Sequence, residues 1–339
     1  MTRFLDQARR EISPPGDDDP RRYEPLTSLR LEHPGAVAEA AAARLPHPGP
    51  MHGRQSFIIA ADHAARGALA VKADPRAMAD RRGLLDRLRI ALAHPAVDGV
   101  LASPDILDDL LMLGALEGRL IFGSMNRAGL PGLINEIDDR FTGHTAAALK
   151  ALGADGGKML TRIAFDDAAT TTMLESTAQA VDQLHAQGLI AMVEPFISRT
   201  SGGRVVNDLS TDAVVQSVSI AQGLGASSAG TWLKLPVVED MDRVMAATTL
   251  PTVLLGGDPA GRTDEVLATW RSALALPGVQ GLTVGRTLLY PDDGDVAAAV
   301  EDAASLLVRD PTAPARPATS EDPAPRRGLS PAGATKEDR

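Results

Sequence analysis

The sequence predicts an α/β protein built as a single (β/α)8 barrel, with an N-terminal helical extension and a disordered C-terminal tail. Three observations predict the barrel. Short apolar runs of β type alternate eight times with segments of helical period. No GxGxxG follows the first run, which argues against a doubly wound dinucleotide-binding sheet. The polar residues of the runs gather at their carboxyl ends, where barrels of this kind carry their active sites. The doubly wound sheet is the alternative.

The eight strands are expected at 57–62 (FIIAAD), 99–102 (GVLA), 120–124 (LIFGS), 156–161 (GGKMLT), 189–194 (LIAMVE), 231–235 (TWLKL), 252–255 (TVLL) and 281–284 (GLTV). Between them, stretches such as ADRRGLLDRLRIALAH and TDEVLATWRSALALPG repeat apolar residues at spacings of three and four, which makes them amphipathic helices. Strand, helix, strand in strict alternation requires a parallel sheet. The barrel is expected over 51–309. Residues 1–50 form an extension with one helix at 34–45 that closes the bottom of the barrel. Residues 310–339 are rich in Pro, Ala and charge, have no apolar period, and read as a disordered tail.

Composition narrows the function. The formal charge of −10 and the lack of a Lys/Arg cluster argue against nucleic acid and anionic membranes as partners. The amino terminus lacks the apolar stretch of a signal peptide, and no run of about 18 apolar residues occurs, so a soluble cytoplasmic protein is expected. Zero cysteines remove thiolate nucleophiles and cysteine-ligated metals. Only five of the 34 basic residues are lysine: Lys72, Lys150, Lys158, Lys234 and Lys336. A lysine inside an apolar strand of so arginine-rich a chain suggests that an amine is required there, because a guanidinium stays protonated and is a poor nucleophile.

Strand alternation places Lys234 inside the barrel and sends Leu233 and Leu235 outward. The same parity turns Lys158 inward while Met159 packs outward, and turns Glu194 inward with Met192. Asp62, followed by His63, ends the first strand. Two lysines and two carboxylates converging on a barrel mouth point to covalent carbonyl chemistry. In that scheme one lysine forms a Schiff base, the second lowers its pKa, and Glu194 or Asp62 moves the proton. The competing reading is a structural ion network among the same four residues. The last two strands end in Gly256-Gly257-Asp258 and Gly285-Arg286, a place where barrels bind phosphate, with Arg286 supplying the charge. Asn126, Arg127, Arg162, Arg199 and Arg204 follow strand ends and are candidate substrate contacts. His63 alone of the seven histidines lies at a strand end, so a zinc site is not expected and no cofactor is assigned; Mg²⁺ held by Asp62, Glu194 and Asp258 stays open, because oxygen ligands leave no distinctive spacing.

These strand ends resemble the class I aldolases related to deoxyribose-phosphate, tagatose-bisphosphate and archaeal-type fructose-bisphosphate aldolase. The resemblance spans about 57–307 and is carried by AADH, GADGGKML, VEPF, LKLPVVED, VLLGGD and GLTVGRTLL. It implies that Lys234 forms the imine and that Lys158 is an accessory, substrate-binding amine. It further implies that Asp62 and Glu194 are the acid/base carboxylates, and that Gly256, Gly257, Gly285 and Arg286 form the phosphate end. The seventh strand lacks the second lysine of deoxyribose-phosphate aldolase, which counts against that substrate. The chain looks most like an actinobacterial branch associated with inositol breakdown. That implies cleavage of 5-dehydro-2-deoxygluconate 6-phosphate to dihydroxyacetone phosphate and malonate semialdehyde, by a barrel that forms a homo-oligomer as others of this group do. Two readings compete: a metal-assisted sugar-phosphate isomerase or epimerase, and a non-catalytic barrel that binds a sugar phosphate.

Overall fold

The structure, a computed structural model, describes residues 2–17, 19–48, 54–256 and 263–307. The expected tail at 310–339 and the candidate residues Gly257 and Asp258 lie outside the described residues.

Among the described residues, nine strands occur: β1 (Ser56–Ala61), β2 (Gly99–Ala102), β3 (Leu120–Ser124), β4 (Gly156–Ile163), β5 (Ile190–Ser201), β6 (Arg204–Asn207), β7 (Thr231–Pro236), β8 (Thr252–Leu255) and β9 (Val279–Val284). Eight pair in parallel in the order β4-β3-β2-β1-β9-β8-β7-β5, and β4 pairs with β5 to close the ring. This is a TIM barrel. The ninth strand was not anticipated. β5 runs past the barrel rim and turns back through Gly202-Gly203, both left-handed (φ 60° and 76°), into the antiparallel β6. Two glycines that accept positive φ are what a tight two-residue hairpin turn needs.

Among the described residues, three helices precede the barrel, α1 (Thr2–Glu11), α2 (Glu24–Glu32) and α3 (Ala36–Ala43). This corrects the single helix expected in the extension. α1 exposes charge almost everywhere and buries only Leu5 and Ala8, followed by Ile12, too thin a stripe to stand out from so polar a segment. The remaining helices are α4 (Arg81–Ala93), α5 (Pro104–Met112), α6 (Ala146–Ala151), α7 (Ala169–Ala186), α8 (Thr211–Ala221), α9 (Met241–Ala246), α10 (Thr263–Leu274), α11 (Arg286–Leu289) and α12 (Val296–Ala304). Arg44, at the end of α3, donates to the carbonyls of Arg119 (2.8 Å) and Gly153 (2.7 Å), just before β3 and β4. That pins α3 to the amino-terminal end of the barrel. Tyr23 donates to Asp86 of α4 at 2.6 Å, and Arg9 to the carbonyls of Leu111 and Met112 at the end of α5. The extension therefore packs on the helical ring as well. Among the described residues, no helix is long and apolar enough to cross a membrane.

Period-two alternation produces two separate cores. Ile58, Ala60, Leu101, Phe122, Met192 and Val253 fill the barrel interior. Ile59, Met159, Val193, Leu233, Leu235 and Leu254 pack outward against the helices. Leu233 and Leu235 are fully buried on that outer side, which leaves Lys234 between them no direction but inward.

Closure between β8 and β9 depends on a bulge, since Thr252 pairs with Val279 and Val253 with Gly281. At Gly281 φ is +134°, and a Cβ there would sit 1.9 Å from the carbonyl oxygen of Ser56 on β1. Only glycine lets β1 and β9 approach so closely. Gly281→Ala is expected to cost about 2–4 kcal/mol through strain and overpacking, read as a lower urea midpoint; an unchanged midpoint would show that the seam tolerates a side chain.

Candidate active site

The barrel registers place the chemical groups. Lys158 pairs with Ser124 on one side and with Met192 on the other. Glu194 therefore lies one inward step above Met192, and continuing the Met192–Trp232 register by two residues puts Lys234 beside it. The side chains meet as the registers require. Lys234 Nζ donates to Glu194 Oε1 at 2.6 Å, while Lys158 Nζ is ion-paired with Glu194 Oε2 and lies 3.3 Å from Asp62 Oδ2. Asp62, just past β1, also accepts from Ser124 Oγ at 3.1 Å and from the guanidinium of Arg127. Lys158, Lys234, Glu194 and Asp62 are all buried, at 3%, 4%, 7% and 3% exposure.

These groups shift one another strongly. Burial by itself would raise Asp62, but Lys158 and then Arg127 overcome it and hold this carboxyl well below the usual range. Burial likewise works against Glu194, and Lys158 and Lys234 bring it down to about 2. Both carboxylates stay ionised across the physiological range. Burial lowers Lys158, and the neighbouring Lys234 ammonium adds to that effect against the pull of Asp62 and Glu194. His63, unassigned by the sequence reading, is pushed down to about 3. Burial is the main cause, with Arg286 and Lys234 opposing Asp62, so its imidazole is neutral.

A cavity of about 590 Å³ opens above these residues at the carboxyl ends of the strands. Its walls include Phe196 of β5, Asn207 of β6 and Leu209 just beyond it, and Val266 and Trp270 of α10. Sequence reasoning missed these walls. The hairpin's signal was the Gly202-Gly203 turn, whereas nothing in the helical period of α10 marks the face that meets the cavity. Gly256, Gly285 and Arg286 line the cavity. The two glycines have packing reasons of their own: a Cβ on Gly256 would lie 2.4 Å from Val284, and one on Gly285 2.1 Å from the carbonyl oxygen of Ala60. Of the phosphate-end candidates that are described, Arg286 is the one whose side chain brings charge.

The structure places four other candidates elsewhere. Asn126 is fully buried and spends its amide on Asp139 (2.9 Å), the Leu160 carbonyl (2.6 Å) and the Leu160 amide (2.9 Å). It clamps the loop after β3 to β4, a role for which its residue type suits it as well as for substrate binding. Arg162 is ion-paired with Glu136 and donates to the carbonyls of Gly129 and Glu136, locking the same loop. Arg199 and Arg204 are exposed on the β5–β6 hairpin. Arg127, by contrast, reaches the cavity, although its guanidinium is engaged by Asp62 and Ser124. Among the described residues, no group of three or more His, Asp or Glu side chains is arranged to hold a metal ion.

Several solved structures resemble this chain. A Schiff-base-forming fructose-1,6-bisphosphate aldolase is 20% identical, with 80% of this chain and 100% of that one covered and a TM-score of 0.57. A fructose-bisphosphate aldolase from Slackia heliotrinireducens is 16% identical, with 88% and 94% covered and a TM-score of 0.53. At such identities the shared property is the barrel fold. No curated protein sequence matches. Cgl0159 from Corynebacterium glutamicum is 54% identical, with 86% of this chain and 98% of that one covered and a TM-score of 0.83. The Cgl0159-like family profile matches residues 54–304, which includes every described cavity residue, and the chain belongs to the Cgl0159-like family.

Proposed function

We propose that the protein is a class I aldolase, a carbon–carbon lyase that forms a Schiff base between Lys234 and the carbonyl of a phosphorylated ketose or keto-deoxy sugar acid. The observation that carries this reading is a buried Lys234, alone between two outward leucines, sharing Glu194 with a second buried lysine at the base of the cavity.

The arrangement supports each early step. Burial, with Lys234 adding to it, lowers the pKa of Lys158, so the two lysines on Glu194 hold a proton that is more easily lost. Once it leaves, Glu194, which touches both amines, relays the remaining proton so that the neutral amine resides on Lys234. That amine attacks the substrate carbonyl, the carbinolamine hydroxyl takes up the proton released earlier and leaves as water, and the iminium draws electrons from the adjacent carbon–carbon bond. Lys158, fixed by Asp62 and Glu194, then offers positive charge to the substrate oxygens. A metal-assisted isomerase fits less well, because both carboxylates it would use as ligands already accept from ammonium groups.

Charge supports a phosphorylated substrate. The described lining carries Arg66, Arg127, Lys158, Lys234 and Arg286 beside Asp62, Glu194 and Glu265, so basic groups gather at this mouth in a protein whose net charge is −10. Such a mouth suits an anionic, phosphorylated substrate. Within this class, 5-dehydro-2-deoxygluconate 6-phosphate is the substrate we propose.

Borohydride treatment with dihydroxyacetone phosphate, fructose 1,6-bisphosphate or deoxyribose 5-phosphate, followed by intact mass and peptide mapping, tests the mechanism. A reduced adduct on Lys234 is expected, together with its loss and the loss of turnover in a folded Lys234→Ala variant. A folded Lys234→Ala protein that still cleaves substrate refutes the Schiff base. Arg286→Ala is expected to raise KM for phosphorylated substrates more than it lowers kcat, as for uniform binding of a remote group. Steady-state kinetics showing the reverse would move Arg286 from substrate binding into the chemical step.

A further inference from the structure

A retro-aldol cleavage needs a group that takes the proton of the substrate hydroxyl and later gives a proton to the enamine carbon. The two buried carboxylates are poorly placed for this. Both Glu194 oxygens accept from lysines, and Asp62 Oδ2 accepts from Lys158, Ser124 and Arg127. Every arginine is a permanent cation, and neither Tyr23 nor Tyr290 lines the cavity.

His63 is differently situated. It follows Asp62 directly at the end of β1, begins the short 3-10 helix Ala64–Arg66, and lines the cavity. Its Nδ1 is buried with no hydrogen-bond partner among the described residues and faces Asp62 Oδ1 across 3.9 Å. The ring lies over Gly285, where an added Cβ would come within 3.2 Å of its Cε1. At 3.9 Å the ionised Asp62 makes no hydrogen bond to Nδ1, but its charge favours a proton on that nitrogen over one on Nε2, and that tautomer leaves Nε2 to accept.

On the Schiff-base reading above, we propose that His63 is the acid/base residue of the reaction. Nε2 takes the hydroxyl proton as the carbon–carbon bond breaks. The bond electrons pass to the iminium and give an enamine, and the aldehyde is released. The histidinium then returns that proton to the enamine carbon, and water hydrolyses the regenerated iminium to free Lys234. The proton and the electron pair are both accounted for without an external reagent.

The charges around His63 make its basicity depend on substrate. Asp62 and Glu194 favour the imidazolium, whereas Arg286 and Lys234 oppose it. A phosphoryl dianion at Arg286 cancels part of that opposition, so the imidazole gains basicity when the substrate is in place.

Wild type, His63→Gln and His63→Ala should each be incubated with dihydroxyacetone phosphate. Borohydride trapping reads the imine, and exchange of the carbon-bound hydrogens into D2O, followed by NMR, reads enamine formation and reprotonation. The expected result is a Lys234 adduct in all three proteins, exchange slowed about 10²–10⁴-fold in both variants, and partial rescue of His63→Ala by added imidazole. Near-wild-type exchange in the variants overturns the proposal and leaves the Schiff base standing. An adduct missing only from the variants also overturns it, by showing that His63 acts in binding. No adduct in wild type overturns the Schiff-base reading and this proposal together.

Discussion

Two ammonium groups held on one buried carboxylate are the interaction around which the mouth of this barrel is arranged. Isolated charges in such a place are costly, and they persist only where opposite charges and hydrogen bonds surround them. Lys158 and Lys234 share Glu194, Lys158 also leans on Asp62, and Asp62 is held in turn by Arg127 and Ser124. The members come from five strands, β1, β3, β4, β5 and β7, or the residues just beyond them. The cluster therefore exists only when the ring of eight strands is closed in register, and the register is set by the apolar layers beneath and around it. Fold and site are coupled through that requirement.

The walls are fixed by a second set of charges. Arg66, one turn beyond His63, is ion-paired with Asp139 and donates to the Asn126 carbonyl at 2.6 Å. Arg162 pairs with Glu136, whose other oxygen accepts from the Val205 amide on the β5–β6 hairpin at 3.4 Å. One loop, the end of one strand and one hairpin are thus tied together beside the cavity. Buried, satisfied networks of this kind rigidify what they join. An enzyme that must hold an amine, a carbonyl and a proton-transfer group in one geometry benefits from such a frame.

Much of this was legible in the sequence because strand periodicity is strict. Leu233 and Leu235 flanking Lys234, and Met159 beside Lys158, determine which way each lysine points, and the eight parallel strands begin within a few residues of where they are expected, although β5 runs on past 194 to Ser201. What was not legible lies outside that periodicity. The β5–β6 hairpin continues a β-rich stretch whose only mark is Gly202-Gly203. The helix α1 has just a few apolar residues to reveal it. Asn126 and Arg162 sit at strand ends as a substrate contact would, and only the fold of the loop after β3 shows that both face that loop. Gly256 and Gly285 illustrate the same ambiguity, since a glycine that admits a ligand and one that admits a neighbouring strand look alike in sequence.

Whether the lysine cluster is catalytic or merely structural can be argued from how this chain builds its other buried ion pairs. Asp86, Asp98, Asp139 and Glu136 are each neutralised by arginine, through Arg22, Arg54, Arg66 and Arg162. Even Asp62 has its own arginine in Arg127. Guanidinium suits that purpose, being planar, weakly hydrated and able to satisfy several acceptors at once. Among the described residues, lysine appears on the surface, as Lys72 with Asp292 and as the exposed Lys150, and then twice in the interior, both times in the cavity. Had Lys158 and Lys234 only to balance charge, arginine would serve as it does everywhere else. What lysine alone supplies is an amine that can lose its proton, and a neutral amine facing a cavity where basic groups gather is what carbonyl addition to an anionic sugar requires.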